Sequence, residues 1–189
     1  IALMRVIPNM NIIVPCDGPQ TREAVMACVD IPGPCYIRLG RPKVPTVENK
    51  GEFKFGKAQV LRQGKDATII ACGVMVIPVL EAAESLSKKG TEVSVINMHT
   101  IKPLDRDVVL KAARETGGIV VCEEHAIIGG LASSIDEIVA ENFPVKVMRL
   151  GIKNRFGQSG EPDELLKEYN LTSCDIEKAV LSIVPSGRR

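Results

Sequence analysis

The stretch VVCEEHAIIGGLASSIDEIVAE, Val120 to Glu141, decides how the chain is read. An apolar run ends in Cys122, Glu123, Glu124 and His125. The pair Gly129-Gly130 follows, and Leu131, Ile135, Ile138 and Val139 then recur at helical spacing. A continuous apolar strand, a glycine turn and an amphipathic helix make one unit of an α/β fold. The same unit sets out a candidate site, because open parallel sheets bind ligands beyond the carboxyl ends of their strands. On one reading Glu123 or Glu124 is a base oriented by His125, or Cys122 is a nucleophile beside it, and the glycine turn offers N–H groups to an anion. On the other, Cys122 is simply the last buried strand residue, the acids are solvated or cap the turn, and the glycines let the backbone fold tightly onto the sheet. If the strand persists here, Cys122 and Glu123 point to opposite faces and cannot line one pocket. Neither a Walker motif nor G-x-G-x-x-G is present.

The same rhythm extends both ways. AQVLRQ and ATIIACG read as strands around a turn at Gly64, followed by a helix from about Met75 to Lys89 that stops at Gly90. EVSVINM is a strand, and Asp105 caps a helix with Val108, Val109, Ala112 and Ala113 inward. VKVMRLG is a further strand, and helices at about 161–169 and 173–183 close the chain, the second opened by a capping-box spacing from Thr172 to Asp175. Upstream, NIIVP and PCYIRL are strands flanking a helix capped by Asp17, with Val25, Cys28 and Val29 on one face. Residues 42–57, rich in Pro, Gly and charge, read as a linker. The expected architecture is a three-layer α/β/α domain over 58–189, with a mostly parallel sheet, preceded by a β-α-β piece at 1–41 that is too small to fold unaided. The opening IALMRVIPNMNIIVP reads as the tail of a helix entered in the middle, and so as the start of a fragment.

Composition narrows the classes of function. Lys plus Arg is 24 against 23 acids and aromatics are 3%, which speaks against nucleic-acid partners. Runs such as GVMVIPVL are too short to span a bilayer. Six cysteines without C-x-x-C, and only two histidines, read as reduced thiols of a cytoplasmic protein and not as a zinc site.

Three other stretches carry candidate chemistry. In YIRLGRPK, Arg38 and Arg41 flank Gly40 at a strand end, where a guanidinium holds a phosphate or carboxylate bidentately or makes a surface ion pair. In NMHTIKPLD, His99 and Lys102 follow a strand end, but Pro103 and Asp105 explain the stretch as a loop feeding a helix. Gln158, Ser159 and Gly160 lie in a loop entering a helix, which suffices to explain them.

The runs GPCYIRLGR, GKAQVLRQGKDATIIACG, VINMHTIKPLD, CEEHAIIGGLASSIDE and FGQSG, in that order, resemble the carboxyl-terminal section of transketolase of the split, two-polypeptide type. The resemblance implies an enzyme that uses thiamine diphosphate and Mg2+ to move a two-carbon ketol unit between sugar phosphates. It implies that 1–41 is the end of the pyrimidine-binding domain and 58–189 the complete third domain. The cofactor-activating Glu, the substrate-binding GPTH-like motif and the diphosphate and metal motifs would then lie outside this chain, so no catalytic, cofactor-binding or metal-binding residue is expected within it. An N-terminal section is the implied partner, in a homo-oligomeric complete enzyme. One substrate residue is carried over: Arg41, matching the Arg of the family's L-S-R motif, with Gly40 where the family has Ser. Deoxyxylulose-phosphate synthases and 2-oxoacid dehydrogenase beta chains share KPLD and the glycine pair, and are the alternatives within the enzyme class. A non-catalytic interaction or regulatory module is the alternative outside it.

Overall fold

The computed structural model describes residues 1–41 and 43–184. Its centre is a five-stranded sheet in the order β3-β5-β4-β7-β8, formed by Gln59–Arg62, Val93–Asn97, Ala67–Ala71, Ile119–Ala126 and Val147–Ile152. β4, β5, β7 and β8 run parallel, and β3 joins β5 antiparallel at the edge. β3 and β4 therefore do not pair across the Gly64 turn; the sheet between them is completed by β5. The inner strands are buried on both faces, which is why they read as unbroken apolar runs.

Alternation along each strand sorts the core into two halves. Ile69, Val95, Val120 and Cys122 face α3 (Val76–Lys88) and α7 (Ser173–Leu181), meeting Val79, Leu86, Ile176 and Val180. Ile70, Ile96, Ile119 and Val121 face α4 (Arg106–Glu115) and α5 (Leu131–Asn142), meeting Val109, Leu131, Ile135 and Val139. α6 (Pro162–Glu168) packs Leu166 onto the first half, and Glu161 and Thr172 open α6 and α7 with capping boxes. The expected three layers are present.

A second, three-stranded sheet was not expected in this form. β1 (Asn11–Ile13) pairs parallel with β2 (Cys35–Ile37) and antiparallel with β6 (Thr100–Lys102), the stretch expected as a loop. α1 (Ala2–Arg5) precedes β1, and α2 (Gly18–Ala27) lies between β1 and β2. Asp17 caps α2 by accepting from the Gln20 N–H, with Pro19 in the first turn. The helix buries Gln20 and Ala24, so Val25 and Val29 lie outward and not on a core face; Val29 is 78% exposed. Residues 43–57 hold no helix or strand, yet Val47 and Phe53 are buried. The Asp17 carboxylate fastens that segment by accepting from the Val47 N–H at 2.8 Å and from Lys50 Nζ at 2.9 Å. Asp105 does not cap α4 with its side chain; its carboxylate turns away to the Ala58 N–H and Lys57 Nζ. Among the described residues no helix is long and apolar enough to cross a membrane.

Candidate functional site

The Cys122–His125 cluster is dispersed by the strand itself. β7 continues through Ala126, past the GIVVCE run that ends at Glu123, because Ala126 still pairs with Ile152 of β8 beyond an irregularity in register. Cys122 therefore points into the α3–α7 half of the core, where burial drives its thiol far above the ordinary range. Glu123 points the opposite way, fully buried under the start of α5. Its Oε2 accepts from the Leu131 N–H at 2.7 Å and its Oε1 from the Ala132 N–H at 3.0 Å. The anion at this helix N-terminus is the chain's own carboxylate. Burial raises the Glu123 pKa, and the two N–H donors oppose that rise. Gly130 is glycine for the same reason: a Cβ there would sit 2.7 Å from the Glu123 Cδ, closer than any real contact.

His125 serves as a cap, not as a base. Its Nδ1 lies 2.7 Å from the Ala126 carbonyl and its Nε2 lies 3.4 Å from the Ala2 N–H. Those partners require a neutral ring with the proton on Nδ1, bonded to Ala126, and Nε2 accepting from the start of α1. Burial, aided by the positive charge of Arg38, lowers its pKa in spite of the Ala126 bond. His99 and Lys102 are likewise structural. His99 is fully buried, its Nδ1 3.0 Å from Thr100 Oγ1 and its ring against Phe53, and burial lowers its pKa to about 4. Lys102 Nζ donates to the Arg5 and Ile7 carbonyls at 2.7 Å each, covering the end of α1.

The remaining acid and the arginine loop do meet. Arg38, just past β2, reaches Glu124 of β7: Nη1 and Nη2 lie 3.3 and 3.2 Å from Oε2, and Nη2 donates to the Glu124 carbonyl at 2.8 Å. These two residues, Gly40 and the exposed Arg41 line a cleft of about 770 Å³, whose other wall carries Gln158 and Tyr169. The second and fourth candidate stretches of the sequence thus share one cleft. Glu124 is the member that sequence reasoning left without a role there; the available signal was its position at the carboxyl end of a parallel strand. The cleft offers guanidinium groups, an amide and a phenol ring to a ligand. Two acids line it as well: Glu124, engaged by Arg38, and Glu161 at the start of α6.

The chain matches the family described as transketolase, C-terminal domain, over residues 56–176. It belongs to that family. The transketolase relatives are consistent in kind. The chain is 42% identical over 180 residues to a 6-deoxy-6-sulfo-D-fructose transketolase subunit of Clostridium sp. (strain MSTE9), covering 95% of this chain and 56% of that protein. It is 42% identical over 186 residues to an apulose-4-phosphate transketolase subunit of Phocaeicola vulgatus, covering 97% and 59%. A solved structure described as a split-gene transketolase, an inactive beta4 tetramer, superposes with a TM-score of 0.92 at 44% identity, over 96% of this chain and 60% of that one. The chain therefore spans a little over half the length of the transketolase subunits it matches, and its α/β architecture is that of the transketolase C-terminal fold.

Proposed function

We propose that this chain is the carboxyl-terminal section of a two-polypeptide transketolase, moving a two-carbon ketol unit between sugar phosphates together with an amino-terminal partner section. The similarity to relatives named as transketolase subunits supports the assignment. The observation that carries it to a site is the exposed Arg41 beside Arg38 on the cleft.

The family implies thiamine diphosphate and Mg2+, and the side chains described do not form a site for the metal. No group of three His, Cys, Asp or Glu among the described residues is placed to hold a metal ion, and Glu124 at the cleft is engaged by Arg38. We assign both to the rest of the complete enzyme, between the partner section and the pyrimidine-binding domain to which residues 1–41 would belong. In this reading residues 58–189 form the third domain, 42–57 the link to it, and the complete enzyme is a cytoplasmic homo-oligomer. What this chain does is recognise the substrate's far end. The planar fork of Arg41 accepts a phosphate dianion, and charge-assisted hydrogen bonds fix the sugar's reach toward the reacting atoms.

The test is Arg41→Ala in the complete enzyme. Losing one charge-assisted pair raises KM for phosphorylated substrates roughly tenfold to a hundredfold, and leaves unphosphorylated analogues close to unchanged. Equal losses for both refute the phosphate role. Turnover of pyruvate with glyceraldehyde 3-phosphate, in place of ketol transfer from xylulose 5-phosphate, would assign the enzyme to the deoxyxylulose-phosphate synthases.

A further inference from the structure

We propose that Glu124 is a positioning residue for substrate phosphate: it holds Arg38, and through Arg38 the turn that presents Arg41. The inference rests on the reading of Arg41 just given and assigns a role in recognition to the third domain.

The turn from Arg38 to Arg41 has no helix or strand of its own. Among the described residues its backbone is anchored at the Arg38 end, where the Arg38 N–H donates to the Ile13 carbonyl at 2.9 Å. Beyond that, Leu39, Gly40 and Arg41 are exposed. The side chain of Arg38 supplies the second anchor. Three contacts run from its two Nη atoms to one residue 86 positions away, two to the carboxylate and one to the backbone carbonyl. Contact with a strand carbonyl as well as a carboxylate fixes the plane of the guanidinium, which a single ion pair leaves loose.

The placement of the acid is otherwise hard to explain. A carboxylate on the wall of a cleft that receives a phosphate dianion repels the ligand unless a cation neutralises it. A partly exposed ion pair contributes little to stability, so stability does not account for it. Arg38 offsets the charge of Glu124 and so keeps that carboxylate from opposing Arg41; Glu161, at the start of α6, is the other acid on the cleft wall. Glu124 also has rigid support: its neighbour Glu123 is locked under α5 by two N–H bonds, and its other neighbour His125 is bonded to Ala126 and the start of α1. The CEEH run is thus a fixed bracket whose one cleft-facing member grips the arginine turn.

The experiment measures KM and kcat of the complete enzyme for a phosphorylated acceptor and its unphosphorylated analogue, in Glu124→Ala, Glu124→Gln, Arg38→Ala and the double variant Arg38→Ala/Glu124→Ala, with Arg41→Ala as reference. Glu124→Ala raises KM for the phosphorylated acceptor on the order of tenfold, with kcat and the unphosphorylated analogue little changed. Glu124→Gln, which keeps an oxygen acceptor for Arg38, falls between it and the unaltered enzyme. Arg38→Ala is worse than Glu124→Ala because it leaves a bare carboxylate facing the phosphate, and removing Glu124 in that background recovers part of the loss. An unchanged or lowered KM in Glu124→Ala overturns the inference, as does an equal effect on both acceptors or an additive double variant. If Arg41→Ala discriminates between the acceptors and Glu124→Ala does not, the positioning role alone falls. If neither discriminates, the phosphate reading of Arg41 falls with it.

Discussion

Gly130 and Glu123 are one structural device, and a double-mutant cycle exposes it. Glu123→Ala strips the buried Leu131 and Ala132 N–H groups of their only acceptor in the described structure. Two such orphaned donors cost about 1–3 kcal/mol each, and relief from burying a carboxylate, whose pKa burial already raises, offsets part of that. The net loss is about 2–3 kcal/mol, in line with losing a helix cap together with a buried bond. Gly130→Ala places its Cβ against the same carboxylate, and the three atoms nearest to that Cβ all belong to Glu123. The Gly130 backbone is extended with φ −82°, which alanine tolerates. The alanine therefore acts by expelling the carboxylate, and costs a similar 2–3 kcal/mol. With Glu123 already truncated, the methyl group has space, so the double variant is about as stable as Glu123→Ala alone. The coupling is then about 2–3 kcal/mol, far outside the few tenths that independent sites show. Urea unfolding of the four proteins, followed by circular dichroism, measures it. Additive costs would refute the reasoning, because Gly130 would then be required by the backbone and not by its carboxylate neighbour.

Two further outcomes follow from buried charge. His99, held neutral with a pKa of about 4 by burial, refuses a proton that the unfolded chain accepts near pH 6.5. Stability therefore declines as pH falls through that window and levels off below it, by up to about 3 kcal/mol from this residue; His99→Gln removes that part of the slope in urea titrations, and an unchanged slope would show that the ring is solvated. Asp17 responds on the acid side. Burial opposes its ionisation, but Lys50 and the Gln20 and Val47 N–H groups prevail and hold its pKa below the ordinary value. Its contribution is thus present above the unfolded carboxyl range and lost as pH falls below it. Asp17→Ala costs about 3 kcal/mol by leaving Lys50 without its carboxylate and with the Val47 carbonyl as its remaining partner, and limited proteolysis then cuts within 43–57 sooner; equal cleavage rates would show that the segment is held by Val47 and Phe53 alone.

How far the sequence could be read follows from the range of the interactions involved. The main sheet and its helices were legible because strand runs, helical spacing and capping boxes are local: Leu131, Ile135, Ile138 and Val139 announce their face without any partner. β6 was not, because three residues gain strand character only by meeting β1 almost ninety positions earlier, and no periodicity survives in so short a run. Val25 and Val29 misled for a related reason: helical spacing shows that two residues share a face, but not whether anything covers it. The site shows the same division. That Cys122 and Glu123 part company follows from strand alternation alone. Where each acid ends up does not, since Glu123 finds its donors only when α5 returns over β7, and Glu124 finds Arg38 only when β2 is laid against β1. Two adjacent and identical residues so acquire unrelated work, one closing a helix and the other gripping a turn. Adjacency in CEEH therefore says little about the work of each member, which is set by the partner that the fold brings to it.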